Sequence, residues 1–318
     1  EELESGDTIL LRARDIRRER TGIHGMVAIL FKERVLAYDT FNLGRGEDRA
    51  KLAKNAYGLL EGDVLKDIYP LPRMKHALDI FCLWLTGRWE EDRYQITEFD
   101  PTATPPALNF ILEPYIVEGA ASILFARPGA GKSYMVQIKA VCIASGLDTI
   151  WKVKKRPVLY VNLERTVASL ARRESGIRRA LGVSGPSGVQ YLHTKGASLS
   201  SVSKKLRAFT ERNPESVVFL DSVTRTGLGS LKEDETANRF IDIMHRCAPT
   251  WVGIGHTPRQ DQSHLFGSQM FDAGEDIGIL LASEEHQRTL GVGMKVVKAN
   301  YMPKGRMASY ALEFDELG

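Results

Sequence analysis

The stretch that runs from SILFA (Ser122–Ala126) through RPGAGKS (Arg127–Ser133) into an apolar segment ending near Ser145 constrains this chain more than any other. Five uncharged, mostly apolar residues read as a buried strand. The next seven match the phosphate-binding loop pattern G-x-x-x-x-G-K-[ST], with Ala126 in place of the first glycine. The apolar segment from Ser133 to about Ser145 reads as a helix. Strand, glycine loop and helix in that order are the context that such a loop requires. Gly129 and Gly131 let consecutive N–H groups curl around phosphate oxygens, and the helix N-terminus adds partial positive charge there. Alanine at position 126 is small enough to leave the strand with an ordinary negative φ. Arg127, Pro128, Gly129, Ala130, Gly131, Lys132, Ser133 and Tyr134 are therefore the candidate nucleotide contacts, with Lys132 on the β- and γ-phosphates and Ser133 on Mg²⁺. ATP and Mg²⁺ are the expected cofactors.

Further apolar runs recur: PVLYVNLE (Pro157–Glu164), VVFLD (Val217–Asp221), WVGIG (Trp251–Gly255), IGILLA (Ile277–Ala282) and GMKVVKA (Gly293–Ala299). Helical segments separate the early ones, which predicts an α/β fold with a mostly parallel sheet covered on both faces. The late runs follow one another closely and are expected to pair antiparallel at one edge. Asp221, at the end of a central strand, is the candidate to hold the metal's water shell rather than to cap a helix. Glu164, also near a strand end, is placed to polarise an attacking water. A surface ion pair with Arg165 is the alternative.

Before this region lie GMVAILFKERVLAYD (Gly25–Asp39), read as a hairpin, and two helix candidates, Glu47–Leu60 and Met74–Trp89. The expected organisation is a small α+β domain over 1–98, a proline- and threonine-rich linker over 99–114, and the nucleotide-binding domain over 115–318. The first domain is assigned to partner binding, nucleic-acid binding or oligomerisation. Its Trp84, Trp89 and Tyr94 are read as core or interdomain contacts rather than a stacking surface. The chain opens on Glu1 rather than Met, which leaves the expectation that this domain is incomplete.

Composition narrows the partners only slightly. Lys and Arg number 43 against 40 Asp and Glu, and residues 1–100 hold 16 basic and 19 acidic side chains, so the basic surplus falls on the later part. Cys82, Cys142 and Cys247 lie far apart in apolar surroundings, which predicts reduced, buried thiols and no zinc site. No apolar run approaches 18 residues and no signal peptide is evident, so a cytoplasmic protein without a membrane span is expected.

From about 115 to 316 the order and spacing of LFARPGAGKS, VLYVNLERT, VVFLDS, WVGIGHTPR and GSQMFDAGEDIGILL resemble the RecA-fold motor domain of RepA- and DnaB-type hexameric helicases. The resemblance implies that Glu164 is the catalytic carboxylate and His256 the residue that senses the γ-phosphate. It implies a homo-oligomer, in the form of a hexameric ring, acting on single-stranded nucleic acid, DNA before RNA. Segments after Asp221 and His256 would line its channel, with Arg225, Lys232 and Arg259 as candidate phosphate contacts. One departure stands out. The family's Lys-x-Arg, which reaches a neighbour's nucleotide, here reads Lys298-Ala-Asn300, leaving Lys298, Lys304 and Arg306 as candidate trans-acting cations. An arginine finger contributes about 10³–10⁵ in rate. Its absence brings forward an alternative, an ATP-dependent loader or switch that binds a partner without unwinding. A small-molecule kinase is disfavoured, because no arginine-rich lid follows Asp221.

Overall fold

The computed structural model describes residues 9–19, 21–93, 98–100, 102–104, 106–258, 261 and 263–315. The chain divides into two compact units, Glu1–Thr104 and Pro105–Gly318. In the first, strands β1 (Ile9–Glu19), β2 (Gly22–Phe31) and β3 (Arg34–Asn42) form an antiparallel sheet in that order. Helices α1 (Gly46–Gly58), α2 (Asp63–Ile68) and α3 (Leu71–Arg93) follow. Alternate residues of the strands, such as Val27, Ile29 and Phe41, meet Leu52 and Ala56 of α1 and Met74, Leu78 and Cys82 of α3 in one core. Trp84 is exposed and stacks on Phe81, whereas Trp89 packs against this core, so the two do not share a surface. Tyr94 lies outside the described residues.

The second unit begins with a short antiparallel pair, β4 (Phe110–Leu112) and β5 (Ile116–Val117). Ile111 and Leu112 are fully buried, so this part of the expected linker is packed structure; flanking prolines disguise it in the sequence. There follow β6 (Ala121–Ala126), α4 (Lys132–Ser145), β7 (Val158–Asn162), α5 (Val167–Ala180), β8 (Val189–His193) and α6 (Leu199–Arg212). Next come β9 (Val217–Asp221), α7 (Asp234–Cys247), β10 (Thr250–His256), α8 (Gln269–Gly274), β11 (Ile277–His286), β12 (Thr289–Ala299) and β13 (Met307–Glu313).

The eight strands of this unit's main sheet run in the order β13-β12-β11-β6-β10-β9-β7-β8. Pairing is parallel from β8 through β11 and antiparallel across β11, β12 and β13, as the spacing of the late apolar runs predicts. β6 is buried along its whole length, and its side chains divide between two cores. Leu124 and Ala126 pack on the α4 side, while Ala121, Ile123 and Phe125 pack on the side of α6 and α7. Alternation of this kind is why a two-sided strand reads as an unbroken apolar run. All three cysteines are buried and free, and burial pushes the Cys82 and Cys142 thiols up to about 11. Among the described residues no helix is long and apolar enough to cross a membrane.

One buried group works against this packing. Lys139 of α4 is 1% exposed and has no carboxylate partner among the described residues. Its Nζ donates to Met294 Sδ at 3.3 Å and lies 4.6 Å and 4.8 Å from the ring centroids of Tyr115 and Trp151. Loss of hydration pulls its pKa down to about 7, while the unfolded chain keeps the usual lysine value of 10.5. Between those values the unfolded state binds more protons, so the cost of burying Lys139 falls as pH rises from about 7 and is greatest below it. Lys139→Met is expected to raise stability by a few kcal/mol at pH 7 and by much less near pH 10, measured by urea unfolding at both pH values.

Candidate nucleotide site

Because β6, β7, β9 and β10 run parallel, their C-terminal ends open on one edge of the sheet, where ligand groups collect in open α/β folds. The loop from β6 to α4 stands at the centre of that edge. Gly129 and Gly131 have φ of +80° and +84°, which a side chain would strain. A Cβ on Gly131 would also sit 2.8 Å from Leu290 Cδ2, so the loop is closed from above by the β12 strand.

Lys132 folds back across the loop. Its Nζ donates to the carbonyl oxygens of Ala126 at 2.9 Å and Arg127 at 2.8 Å. The same nitrogen lies 3.3 Å from Nδ1 of His256, at the end of β10. An ammonium has no lone pair, so Nδ1 is the acceptor and the imidazole proton sits on Nε2. Burial, and then the charge of Lys132, hold the His256 pKa below its ordinary value, so the ring is neutral at pH 7. Burial also pulls Lys132 down to about 8, against the opposing pull of Asp221 and Glu164.

Asp221 ends β9 at 1% exposure, with Oδ2 accepting from Tyr160 Oη at 2.9 Å and a further hydrogen bond from the Ser133 hydroxyl. Burial raises its pKa despite both bonds. Glu164 lies two residues beyond β7, in a loop that Asn162 ties down: Asn162 Oδ1 accepts from the Glu164 and Arg165 N–H groups, and Nδ2 donates to Arg165 O at 2.7 Å. Ser222 Oγ donates to Glu164 Oε2 at 3.3 Å. Phosphate loop, Asp221, Glu164 and His256 all line one cleft of about 580 Å³.

Two expected contacts are placed differently. The Arg127 guanidinium donates to Ser283 O of β11 at 2.9 Å and is absent from the cleft lining, so only its backbone serves the loop. Lys298 donates to the carbonyl oxygens of Asp272 and Glu275 at the C-terminal end of α8, which engages it within its own chain. Asn300 is likewise held, with Nδ2 on Asp276 Oδ1 at 3.0 Å. Arg306 pairs with Glu113 at 3.3 Å, and Lys304 is exposed. Arg225 and Lys232 are exposed beyond β9 and do not line the cleft, although the Arg225 charge is near enough to help lower the His256 pKa; Arg259 lies outside the described residues.

The sequence reading missed Arg173. This α5 residue is 7% exposed and lines the cleft, with its Cζ 4.1 Å from the centroid of the Tyr134 ring. Its Nε and Nη1 are buried without a hydrogen-bond partner. Phe314 packs edge-on against the other side of Tyr134, with centroids 5.1 Å apart. An unpaired buried cation at the wall of a cleft fits an anionic ligand. No spacing in the α5 segment marks Arg173 out, since only the packing of α5 beside α4 brings it there.

The residues present thus suit a nucleoside phosphate. Glycine N–H groups and Lys132 face its phosphates, and Ser133 with Asp221 is the small hydroxyl-and-carboxylate set that suffices for Mg²⁺ when phosphates supply further oxygens. Residues 90–260, slightly more than half of the chain, match the family model described as AAA domain. The chain belongs to that family. As an AAA domain with a phosphate loop on a mostly parallel sheet it is a P-loop ATPase. No curated protein is similar enough in sequence to count as a relative. Solved structures with a similar fold include a KaiC-like protein from Pyrococcus horikoshii OT3, 14% identical with a TM-score of 0.45 over 65% of this chain and 91% of that one. The flagellar accessory protein FlaH from Methanocaldococcus jannaschii is 16% identical with a TM-score of 0.43 over 62% and 86%.

Two outcomes are expected at this site. Arg173→Ala is expected to weaken ATP binding by about 10- to 100-fold, the usual scale for one charge-assisted contact, as titration calorimetry would measure. Wild-type affinity should hold steady up to about pH 8 and fall above it, with proton uptake on binding growing over the same range as free Lys132 loses its charge.

Proposed function

We propose that this AAA domain hydrolyses ATP with Mg²⁺ to drive a RecA-like motor on single-stranded nucleic acid, as a homo-oligomeric, RepA/DnaB-like helicase. The observation that carries the hydrolytic half is the placement of Glu164 and His256 on the lining of the cleft that holds the phosphate loop. Lys132 exchanges its bonds to Ala126 O and Arg127 O for phosphate oxygens, which adds charge where the transition state gathers it. Glu164, oriented by Ser222 and by a loop fixed on Asn162, removes the proton of the attacking water. His256, neutral and protonated on Nε2, offers that N–H to the γ-phosphate. Ser133 and Asp221 would hold Mg²⁺, which would neutralise part of the phosphate charge.

The nucleic-acid half is inherited from the resemblance. Arg225 and Lys232 are exposed in the segment after β9, as channel contacts would be, and Arg259 joins them on sequence alone. A second reading has an observation in its favour. Lys298 and Asn300 are engaged within their own chain and Arg306 is paired with Glu113, so Lys304 alone stands uncommitted among the trans-acting candidates. A nucleotide-gated loader or switch needs no finger.

Glu164→Gln is expected to retain ATP binding and to lose about 10²–10⁴ in hydrolysis, the range a general base contributes. In the motor reading single-stranded DNA stimulates the wild-type rate strongly, and the variant abolishes that stimulation. A slow rate indifferent to DNA, with no strand displaced from a forked substrate, would replace the motor by the switch.

A further inference from the structure

In the N-terminal unit the helices cover one face of the sheet; on the other face the central strand is buried at Ala28 and Leu30, and the edge strands β1 and β3 present exposed side chains. The helices pack on the face bearing Val27, Ile29 and Phe41. Strand register arranges the opposite face in rows. Leu10, Leu30 and Val35 form the first, Arg12, Ala28 and Tyr38 the second, and Arg14, Met26 and Thr40 the third. Past a bulge in β1 that holds Asp15 and Ile16, Arg17 pairs with His24 and continues the face. Leu10, Val35 and Tyr38 are 45%, 48% and 69% exposed.

Residues 1–100 are net acidic, yet three arginines, Arg12, Arg14 and Arg17, stand along β1 on the face away from the helices. Arg17 is committed to Glu19, its Nε donating to Oε1 at 2.7 Å. Arg12 and Arg14 are exposed and make no ion pair or side-chain hydrogen bond with any described residue. On β1 itself the acidic residues are Asp15 in the bulge and Glu19, which is paired with Arg17; others lie on the helices and loops, with Glu47 and Asp48 in the first turn of α1, Asp79 on α3 beside Arg49, and Glu61 against Arg34. Arg12 and Arg14 sit about 6.8 Å apart along the strand, a spacing suited to neighbouring phosphates of an extended chain. Tyr38, 69% exposed, shares a row with Arg12 across the buried Ala28. A polyanion that also carries flat rings is complementary to both features at once.

We propose that the β1–β2–β3 sheet, on its face away from the helices, binds single-stranded nucleic acid, with the exposed Arg12 and Arg14 on phosphates and Tyr38 stacking on a base. This surface lies outside the ATPase unit and needs no nucleotide, so it stands or falls separately from the motor reading.

The test is fluorescence anisotropy of the full chain with a labelled 12-mer of thymidine, without ATP, across a salt series. Arg12→Ala with Arg14→Ala is expected to weaken binding and to reduce the slope of log affinity against log salt by about 1.4, at about 0.7 for each phosphate that an arginine no longer neutralises. The Lys pair at the same positions should keep the wild-type slope. Tyr38→Ala should weaken binding by about tenfold or more and leave the slope unchanged, because stacking releases no counterions. An unaltered basal ATPase rate in the Ala pair verifies that the protein remains folded. The proposal is overturned if the wild type does not bind, or if the Ala pair matches wild type in affinity and slope. Duplex bound as tightly as the single strand, with Tyr38→Ala silent, overturns it as well.

Discussion

A single ammonium group organises the ATPase unit. Lys132 belongs to the first turn of α4, yet its Nζ reaches back to the last carbonyl oxygens of β6 and on to His256 at the end of β10. Three elements thereby meet at one charge. The loop between them holds its turn because Gly129 and Gly131 tolerate positive φ and because Leu290 leaves no room above the second. Everything else at the edge follows from parallel pairing. Once β6 is flanked by β10, β10 by β9 and β9 by β7, the strand ends bring His256, Asp221 and the Glu164 loop to the same side.

The cleft balances charge through burial. Asp221 is almost fully buried and is kept satisfied by Tyr160 and Ser133, while Lys132 and Arg173 are buried cations beside it. Lys132 meets carbonyl oxygens, whereas Nε and Nη1 of Arg173 have no hydrogen-bond partner. A site with this surplus is built for an anion. Two turns further along α4, Lys139 has no carboxylate partner among the described residues and is held by aromatic rings and a sulfur. Both lysines lie on one helix, and the different groups that surround them give one of them a ligand-facing role and the other a cost.

Much of this was legible in the residues, for a physical reason. Strands buried on both faces must be apolar throughout, so β6, β7, β9 and β10 announce themselves, and Asp221 at the end of β9 and Glu164 just past β7 are visible by contrast. Elements that lack that constraint were not legible. β1 alternates arginine with apolar residues, and β8 is a half-buried edge strand, VQYLH. β4 hides among prolines although Ile111 and Leu112 are fully buried. At the site, the roles carried by backbone pattern were readable and those set by side-chain direction were not. Arg127 turns to Ser283 and Lys298 to the end of α8, and Arg173 arrives only through helix packing. Asn162 looked like an ordinary strand residue; its amide shapes the loop that presents Glu164.

The strand order carries a consequence for synthesis. β6 is flanked by β10 on one side and by β11 on the other, so Ser122 waits for Val252 and Ile277 before both its edges are paired. Contacts so distant in sequence form late and slowly. On a ribosome, the phosphate loop emerges long before the partners that shape the cleft around it. Nucleotide capture is therefore a property of the finished sheet, and ATP, by binding only that state, favours completion over partly folded intermediates by mass action.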